Sequence, residues 1–418
     1  MDIDRIRTAF HPAIETTDPR FFAGRVETIK KSILALGEPG SFIAVHGLRG
    51  IGKSSIAKQI QLIAEGDDTL INIHQFGKYV PKRSFNYLTV YHSCDTSTLN
   101  VSILFQRLLQ GYGSTPLYSF TKQGNKHLIS ETRDKSAGIK FGLPFGLSAE
   151  GNSKNSETFQ RDNPNDPIQM FVDVLTHIRK DNLSKSGLLI IIDEFDTLKD
   201  KTGFANLVKN YGDDFVKFMV VGIASDINEL VQDHESISRQ LRPIKVGKMD
   251  DLELWEIITK AERYINKNIE FTDDSAELMV KHADGFPYFM HLLGSEAFLL
   301  AFENGDRIIH QGTMQEIYNK ISSGNLSTIY EENYHNAVKN SPDREILLKL
   351  FSEDKDEEIN ITGIYKLAKE FGIRDPSALM KGLTSPERPI LIKIRDKHYR
   401  FSDPVFKVYS RIRTLKFK

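Results

Sequence analysis

The sequence predicts an α/β fold, a parallel sheet flanked by helices, followed by an all-helical segment and a C-terminal segment in winged-helix order. Three observations lead there. Leu188-Leu189-Ile190-Ile191-Ile192 is a run of five aliphatic residues that ends in Asp193 and Glu194, the mark of a strand covered on both faces, as central parallel strands are. A second apolar run, Phe42-Ile43-Ala44-Val45, passes through a glycine-rich octapeptide into the helical Ser55–Ile60, giving strand, loop and helix in succession. The last eighty residues give three helical patterns and then two short extended runs.

In chain order, core strands fall near 41–46, 85–93, 187–193 and 216–223 with helices between them, and the core ends at about Lys248. Residues 111–167 interrupt it; they are rich in Gly, Ser, Asn, Lys and Pro and far exceed the usual connection. Inside this insertion Ile139, Phe141, Leu143, Phe145 and Leu147 alternate at strand period, so their apolar face needs a cover, either the protein's own core or a partner subunit. From Met249 to about Asn340 the periodicity is helical, with Trp255 read as core. Helices over Arg344–Phe351, Thr362–Phe371 and Ser377–Thr384, then extended Ile390–Arg395 and Tyr399–Phe401, are in winged-helix order. The predicted domains are therefore 1–248, 249–340 and 341–418, the last ending in a basic tail.

Gly47-Leu48-Arg49-Gly50-Ile51-Gly52-Lys53-Ser54 is a complete phosphate-binding pattern. Its glycines let backbone N–H groups turn inward on a phosphate, from Gly47 through Ser55. Lys53 reaches the β- and γ-phosphates, and the Ser54 hydroxyl is placed for Mg²⁺. A nucleoside triphosphate is the predicted ligand. Asp193 and Glu194 arrive at the C-terminal edge of their strand, where open α/β sheets bind ligands. Asp193 would hold Mg²⁺ through water, and Glu194 would orient and deprotonate the attacking water. Asp196 is either a third carboxylate of the site or a cap on the following turn.

Further segments resemble a family. Phe21-Phe22-Ala23-Gly24-Arg25-Val26-Glu27 resembles the nucleotide-base motif of origin-recognition-like AAA+ proteins and of STAND ATPases. The resemblance implies ATP as the nucleotide, with Gly24 and Arg25 beside the adenine. Phe218–Asp226 resembles the strand that carries the sensor-1 residue, which places Ser225 there, with Asp226 next. Ser236–Ile244 resembles the segment that presents an arginine finger to a neighbouring subunit, with Arg239 as first choice and Arg242 as second; a fixed guanidinium at developing phosphate charge accelerates transfer. Ala283–Gly294 is similar to the Gly-x-Pro start of a helical lid, which puts Pro287 by the nucleotide. Tyr288 stands where many AAA+ members carry a sensor-2 arginine, and this departure implies slow hydrolysis. The resemblance spans roughly residues 15–330.

Composition narrows the partners. The 418 residues carry 55 basic and 56 acidic side chains, a net charge of −1, so a nucleic-acid or membrane partner would have to be met by a local patch. Residues 391–418 are such a patch, with nine Lys/Arg against two Asp/Glu, although the third helix of the winged-helix segment offers one lysine and few base-reading groups. Cys94 is the one cysteine, which excludes an intrachain disulfide and reads as a small buried residue. No signal peptide or run of roughly 20 apolar residues is found, so a cytoplasmic protein without a membrane partner is expected.

Together these readings lead to an ATP-dependent switch of AAA+/STAND type. It would work as a homo-oligomer or with an effector protein in assembly or signalling, for instance in a defence or stress system. Two alternatives stand beside it: an origin-recognition-like DNA-binding ATPase that uses the winged helix and basic tail, and a nucleotide sensor with very slow hydrolysis.

Overall fold

A computed structural model describes residues 2–82, 84–122, 166–224, 226–231, 237–325 and 328–415. Ser225 and the alternating segment Ile139–Leu147 lie outside the described residues, as does most of the insertion read at 111–167. The chain divides into two compact units, Thr28–His46 with Ile60–Lys245, and Met1–Glu27 with Gly47–Gln59 and Val246–Lys418. The glycine loop thus groups with the C-terminal half, which a linear division at 248 and 340 does not anticipate.

The first unit is built on a five-stranded sheet of order β2-β3-β4-β1-β5, from β1 (Phe42–Gly47), β2 (Tyr87–Ser93), β3 (Gly187–Asp193), β4 (Val216–Ile223) and β5 (Leu241–Val246). Parallel pairing sets Tyr91 against Ile191 on the β2–β3 side and Ile190 against Phe218 on the β3–β4 side. Every residue of β1 and of β3 is buried, as unbroken aliphatic runs require when helices cover both faces. With β4 inserted between β1 and β3, the strand read as the sensor strand separates the one that feeds the loop from the one that carries Asp193. This is the α/β phosphate-loop fold. One helical face of its core is a cluster of phenylalanines, with Phe105 on Phe171 and Phe195 on Phe204 at ring separations of 4.2 and 4.7 Å.

β5 is the strand of this sheet that sequence spacing does not disclose. Its residues read in sequence as part of the arginine-finger segment, because Arg242, Pro243 and Lys245 break the apolar alternation. Leu241, Ile244 and Val246 are buried nonetheless, and the strand lies at the end of the sheet order, where a proline without an N–H is tolerated.

The second unit is mostly helical, with one short parallel pair of strands, β6 (Glu270–Phe271) and β7 (Ile308–Ile309). The helix Asp251–Tyr264 opens on a reciprocal capping box between Asp250 and Glu253. Pro287 starts the long helix Pro287–Asn304, whose Phe289, Leu293, Ala297 and Phe298 are fully buried. Trp255, expected in the core, is half-buried and lines a surface groove with Met249 and Glu277.

Near the C-terminus the order is helix Pro342–Glu353, β8 (Ile359–Asn360), helices Ile361–Glu370 and Pro376–Leu383, then β9 (Leu391–Arg395) and β10 (His398–Phe401). β10 pairs antiparallel with both β8 and β9, which completes the winged-helix arrangement. The segment read as a basic tail is a helix, Pro404–Arg413, with Asp403 as its cap and Val405, Phe406, Val408, Tyr409 and Ile412 buried. Its apolar residues recur at helical spacing, but the interspersed Lys and Arg masked them.

Candidate functional site

In the loop, Gly50 and Gly52 take left-handed backbone, φ +70° and +95°, which lets consecutive N–H groups turn to one side without a Cβ penalty. Lys53 is buried, and its ammonium donates to the Leu48 carbonyl at 2.8 Å. The lysine therefore folds over its own loop. Ser54 follows on the first turn of the helix Lys53–Glu65, where unpaired N–H groups and the helix dipole favour an anion. Ser55 is engaged elsewhere, its hydroxyl accepting the Thr16 N–H at 3.0 Å. Gln59, fully buried, donates to the Thr16 and Thr17 carbonyls, so the N-terminal segment is strapped along the loop helix.

Gly24 and Arg25 also serve the loop. The Gly24 N–H donates to Glu256 and the Arg25 N–H to Glu253, and a Cβ at Gly24 would stand 2.7 Å from that of Glu253. The Arg25 guanidinium is buried and donates to the Gly247 and Ile51 carbonyls at 2.7 and 2.8 Å. Burial draws it below the usual arginine range. Arg25 thus braces the loop by one of its own carbonyls, a role that sequence spacing could not disclose. Pro287 lies against Gly52, 3.7 Å from where a Cβ would be.

The C-terminal helix reaches the same loop. A Cβ at Gly50 would fall 2.5 Å from Val405 Cγ2, and Arg49 forms an ion pair with Asp403 at 3.7 Å. Tyr288 joins a run of rings through Tyr330 to Tyr409 with centroid separations of 5.9 and 5.5 Å. Farther along that helix Arg411 lies 3.3 Å from Asp284. Arg413 donates to the Glu331 carboxylate at 2.9 Å and to the Ser322 carbonyl, while Tyr409 donates to Glu331 at 2.7 Å.

In the sheet unit, Asp193 closes β3 with its side chain almost wholly buried. Its Oδ1 accepts the Glu194 N–H at 2.7 Å and its Oδ2 accepts the Tyr91 hydroxyl at 2.5 Å. Glu194 is exposed and takes left-handed backbone at φ +50°, a conformation that costs a non-glycine residue about 1 kcal/mol. The turn is held by Thr197, whose N–H and hydroxyl both donate to the Glu194 carbonyl. Asp196 accepts the Ile223 N–H at 2.8 Å, which ties the turn after β3 to the end of β4, a role that neither of its two readings describes. Cys94 is buried, and burial pushes its thiol up to about 12, which leaves it a packing residue.

The two arginines differ. Arg242, on β5, is bound by two N–H groups to Glu38, which raises it above the usual arginine range. Arg239 is exposed on the preceding turn and accepts from Arg242 through its backbone carbonyl.

Among the described residues no group of three or more His, Cys, Asp or Glu is placed to hold a metal ion. Mg²⁺ of a nucleotide complex needs no such cage, because phosphates and water fill most of its octahedron and one or two protein oxygens suffice. Each unit holds one oxygen of that kind, the Asp193 carboxylate in the sheet unit and the Ser54 hydroxyl in the other. Among the described residues no helix is long and apolar enough to cross a membrane.

No family model and no curated protein matches the chain. Solved structures do. The Walker-type ATPase PABY2304 of Pyrococcus abyssi is 15% identical over 96% of this chain and 99% of its own, with a TM-score of 0.49. The Thermotoga maritima RuvB Holliday junction branch migration motor is 14% identical over 94% and 97%, with a TM-score of 0.44. The Aeropyrum pernix ORC2 protein is 12% identical over 98% and 97%, with a TM-score of 0.42. The likeness extends along nearly the whole of each chain, and at these values no activity transfers with it.

Proposed function

We propose that the chain is an ATP-binding and hydrolysing switch. What supports the reading is the loop itself: left-handed Gly50 and Gly52, the buried Lys53 ammonium resting on Leu48, and a guanidinium brace from Arg25. The phosphates take the N–H groups of Gly47–Ser55, and Lys53 exchanges its carbonyl partner for β- and γ-phosphate oxygens. Gly24 and Arg25 flank the adenine through backbone, since the Arg25 side chain is committed to the loop. The Ser54 hydroxyl, and Asp193 through water, would hold Mg²⁺, which would supply charge compensation at the phosphates. Glu194 orients the attacking water and takes its proton. Ser225 keeps the sensor role implied by its position after β4.

Its action as a switch is supported by the Val405 and Asp403 contacts to the loop, through which a change at Gly50 would reach the C-terminal helix. In this reading residues 1–248 are the core, 249–340 the lid and 341–418 the regulatory module. Arg239 acts in a neighbouring copy of an oligomer, or in a complex with an effector protein. A DNA-binding initiator is the second reading, favoured by the winged-helix pairing of β8, β10 and β9. Tyr288 in place of a sensor-2 arginine favours slow turnover in either case.

Calorimetry and a phosphate-release assay test the core claim. Lys53→Ala should lose ATP binding, whereas Glu194→Gln should keep Mg-ATP and lose about 10²- to 10⁴-fold in turnover. Equal ATP affinity in the wild type and Lys53→Ala would overturn the assignment.

A further inference from the structure

The Asp193 carboxylate receives one hydrogen bond on each oxygen, and both donors are neutral: the Glu194 backbone N–H on Oδ1 and the Tyr91 hydroxyl on Oδ2. The second donor comes from a neighbouring strand. Parallel register places Tyr91 beside Ile191, and residues two apart share a sheet face, so Tyr91 and Asp193 lie on one face. They are separated by about 7 Å of strand rise, a span that a tyrosine side chain covers along the sheet. The phenol therefore meets the carboxylate by the geometry of the pairing, not by a chance rotamer.

A neutral donor has a consequence that a lysine or arginine would not have. It fixes the plane of the carboxylate while leaving its formal charge available to a cation, whereas a guanidinium at the same place would neutralise it. Partners of this kind govern metal affinity because they set the direction of the carboxylate's lone pairs, toward the ion itself or toward the water through which it is held.

We propose that Tyr91 is a positioning residue for Mg²⁺, holding the Asp193 carboxylate in the orientation in which it receives the ion. The proposal rests on the reading of Asp193 as the Mg²⁺ carboxylate. It assigns Tyr91 no contact with nucleotide, and its effect passes through Asp193 alone.

Binding of a fluorescent N-methylanthraniloyl-ATP, titrated with MgCl₂ and repeated in EDTA, tests it without any turnover. Tyr91→Phe keeps the ring and removes only the hydroxyl. It should leave the affinity in EDTA and the melting temperature unchanged, and move the Mg²⁺ midpoint up by about tenfold. Asp193→Asn should move the midpoint at least as far, and the double variant should match Asp193→Asn alone, because the two side chains act as one unit. A wild-type midpoint in Tyr91→Phe overturns the proposal, as does an additive double variant or a loss of affinity that is the same in EDTA. A wild-type protein whose nucleotide affinity ignores Mg²⁺ would instead bring down the reading of Asp193, and the role of Tyr91 with it.

Discussion

The end of β3 and the C-terminal helix Pro404–Arg413 both carry charge into a buried setting, and they dispose of it in opposite ways. Asp193 is held by a phenol and a backbone N–H, so its orientation is fixed and its charge remains. Arg413 is held by the Glu331 carboxylate and Arg411 lies on Asp284, so their charge is cancelled within the chain. In the proposed reading a buried carboxylate held by neutral donors is left for a cation to meet, while an ion pair is complete as it stands. The count of nine basic residues in 391–418 therefore overstates what the C-terminal region offers to a polyanion.

The pair Arg239 and Arg242 extends the same contrast and carries the largest expected effect. Arg242 is tied to Glu38, and Arg239 is exposed. If the active form is an oligomer, Arg239→Ala should lower turnover by about 10³-fold, the scale of a lost arginine finger. Arg242→Ala should leave turnover within a few-fold and cost about 1 kcal/mol of stability at most, since its pair is largely at the surface. Mixing Arg239→Ala with Glu194→Gln should restore partial activity through the interface that keeps both groups. Rates that are concentration-independent and equal for the two alanine variants would remove the finger from this turn.

The elements that sequence made legible are those whose meaning is local. Leu188–Ile192 could only be a strand covered on both faces, and the glycines of the loop could only allow a turn, so β1, β3 and the loop fall where spacing puts them. The helices of the winged-helix segment also follow from periodicity, within a few residues. What sequence hid depends on distant partners. β5 is recognisable only because an edge position excuses Pro243. The helix Pro404–Arg413 is recognisable only once Glu331 and Asp284 are there to meet its arginines. Arg25 reads as a base contact until Gly247 and Ile51 are seen to accept from it. Tyr91 gave no signal at all, since its role comes from the register of β2 on β3. The Glu194 backbone is of the same kind, because a left-handed glutamate is not written in any pattern of residues.

The next largest effect concerns stability. The Arg413 and Glu331 side chains are 15% and 10% exposed, and Arg413 also lies over the Tyr334 ring at 4.7 Å. Removing one partner leaves the other charged and buried, so Arg413→Ala should cost about 3 kcal/mol, read as a lowered melting temperature. The pair Arg413→Met with Glu331→Gln should lose less than either single change, because no unpaired charge remains. A melting temperature unmoved by Arg413→Ala would mean that this helix holds its place by its apolar face alone, and the contrast with Asp193 would lose one side.

The smallest effect separates the basic residues that remain available from those that do not. Lys393 and Arg395 on β9 are more than half exposed, and their partners Asp396 and Glu358 form surface pairs that salt screens readily. Any duplex DNA binding should therefore use the wing. Each of Lys393→Ala and Arg395→Ala should reduce the log-log salt slope of binding by about 0.9 and do so alike on unrelated sequences. Arg411→Ala, a change at a side chain 22% exposed and paired with Asp284, should leave that slope unchanged even where it lowers stability. Fluorescence anisotropy with short duplexes from low to moderate salt measures both. A slope that falls with Arg411 and not with the wing would show that the C-terminal helix releases its arginines to DNA, and the ion pairs that hold it would then be the resting state of that contact. No binding at low salt with ATP present would leave the winged helix as a protein-docking module, with its wing charges facing solvent.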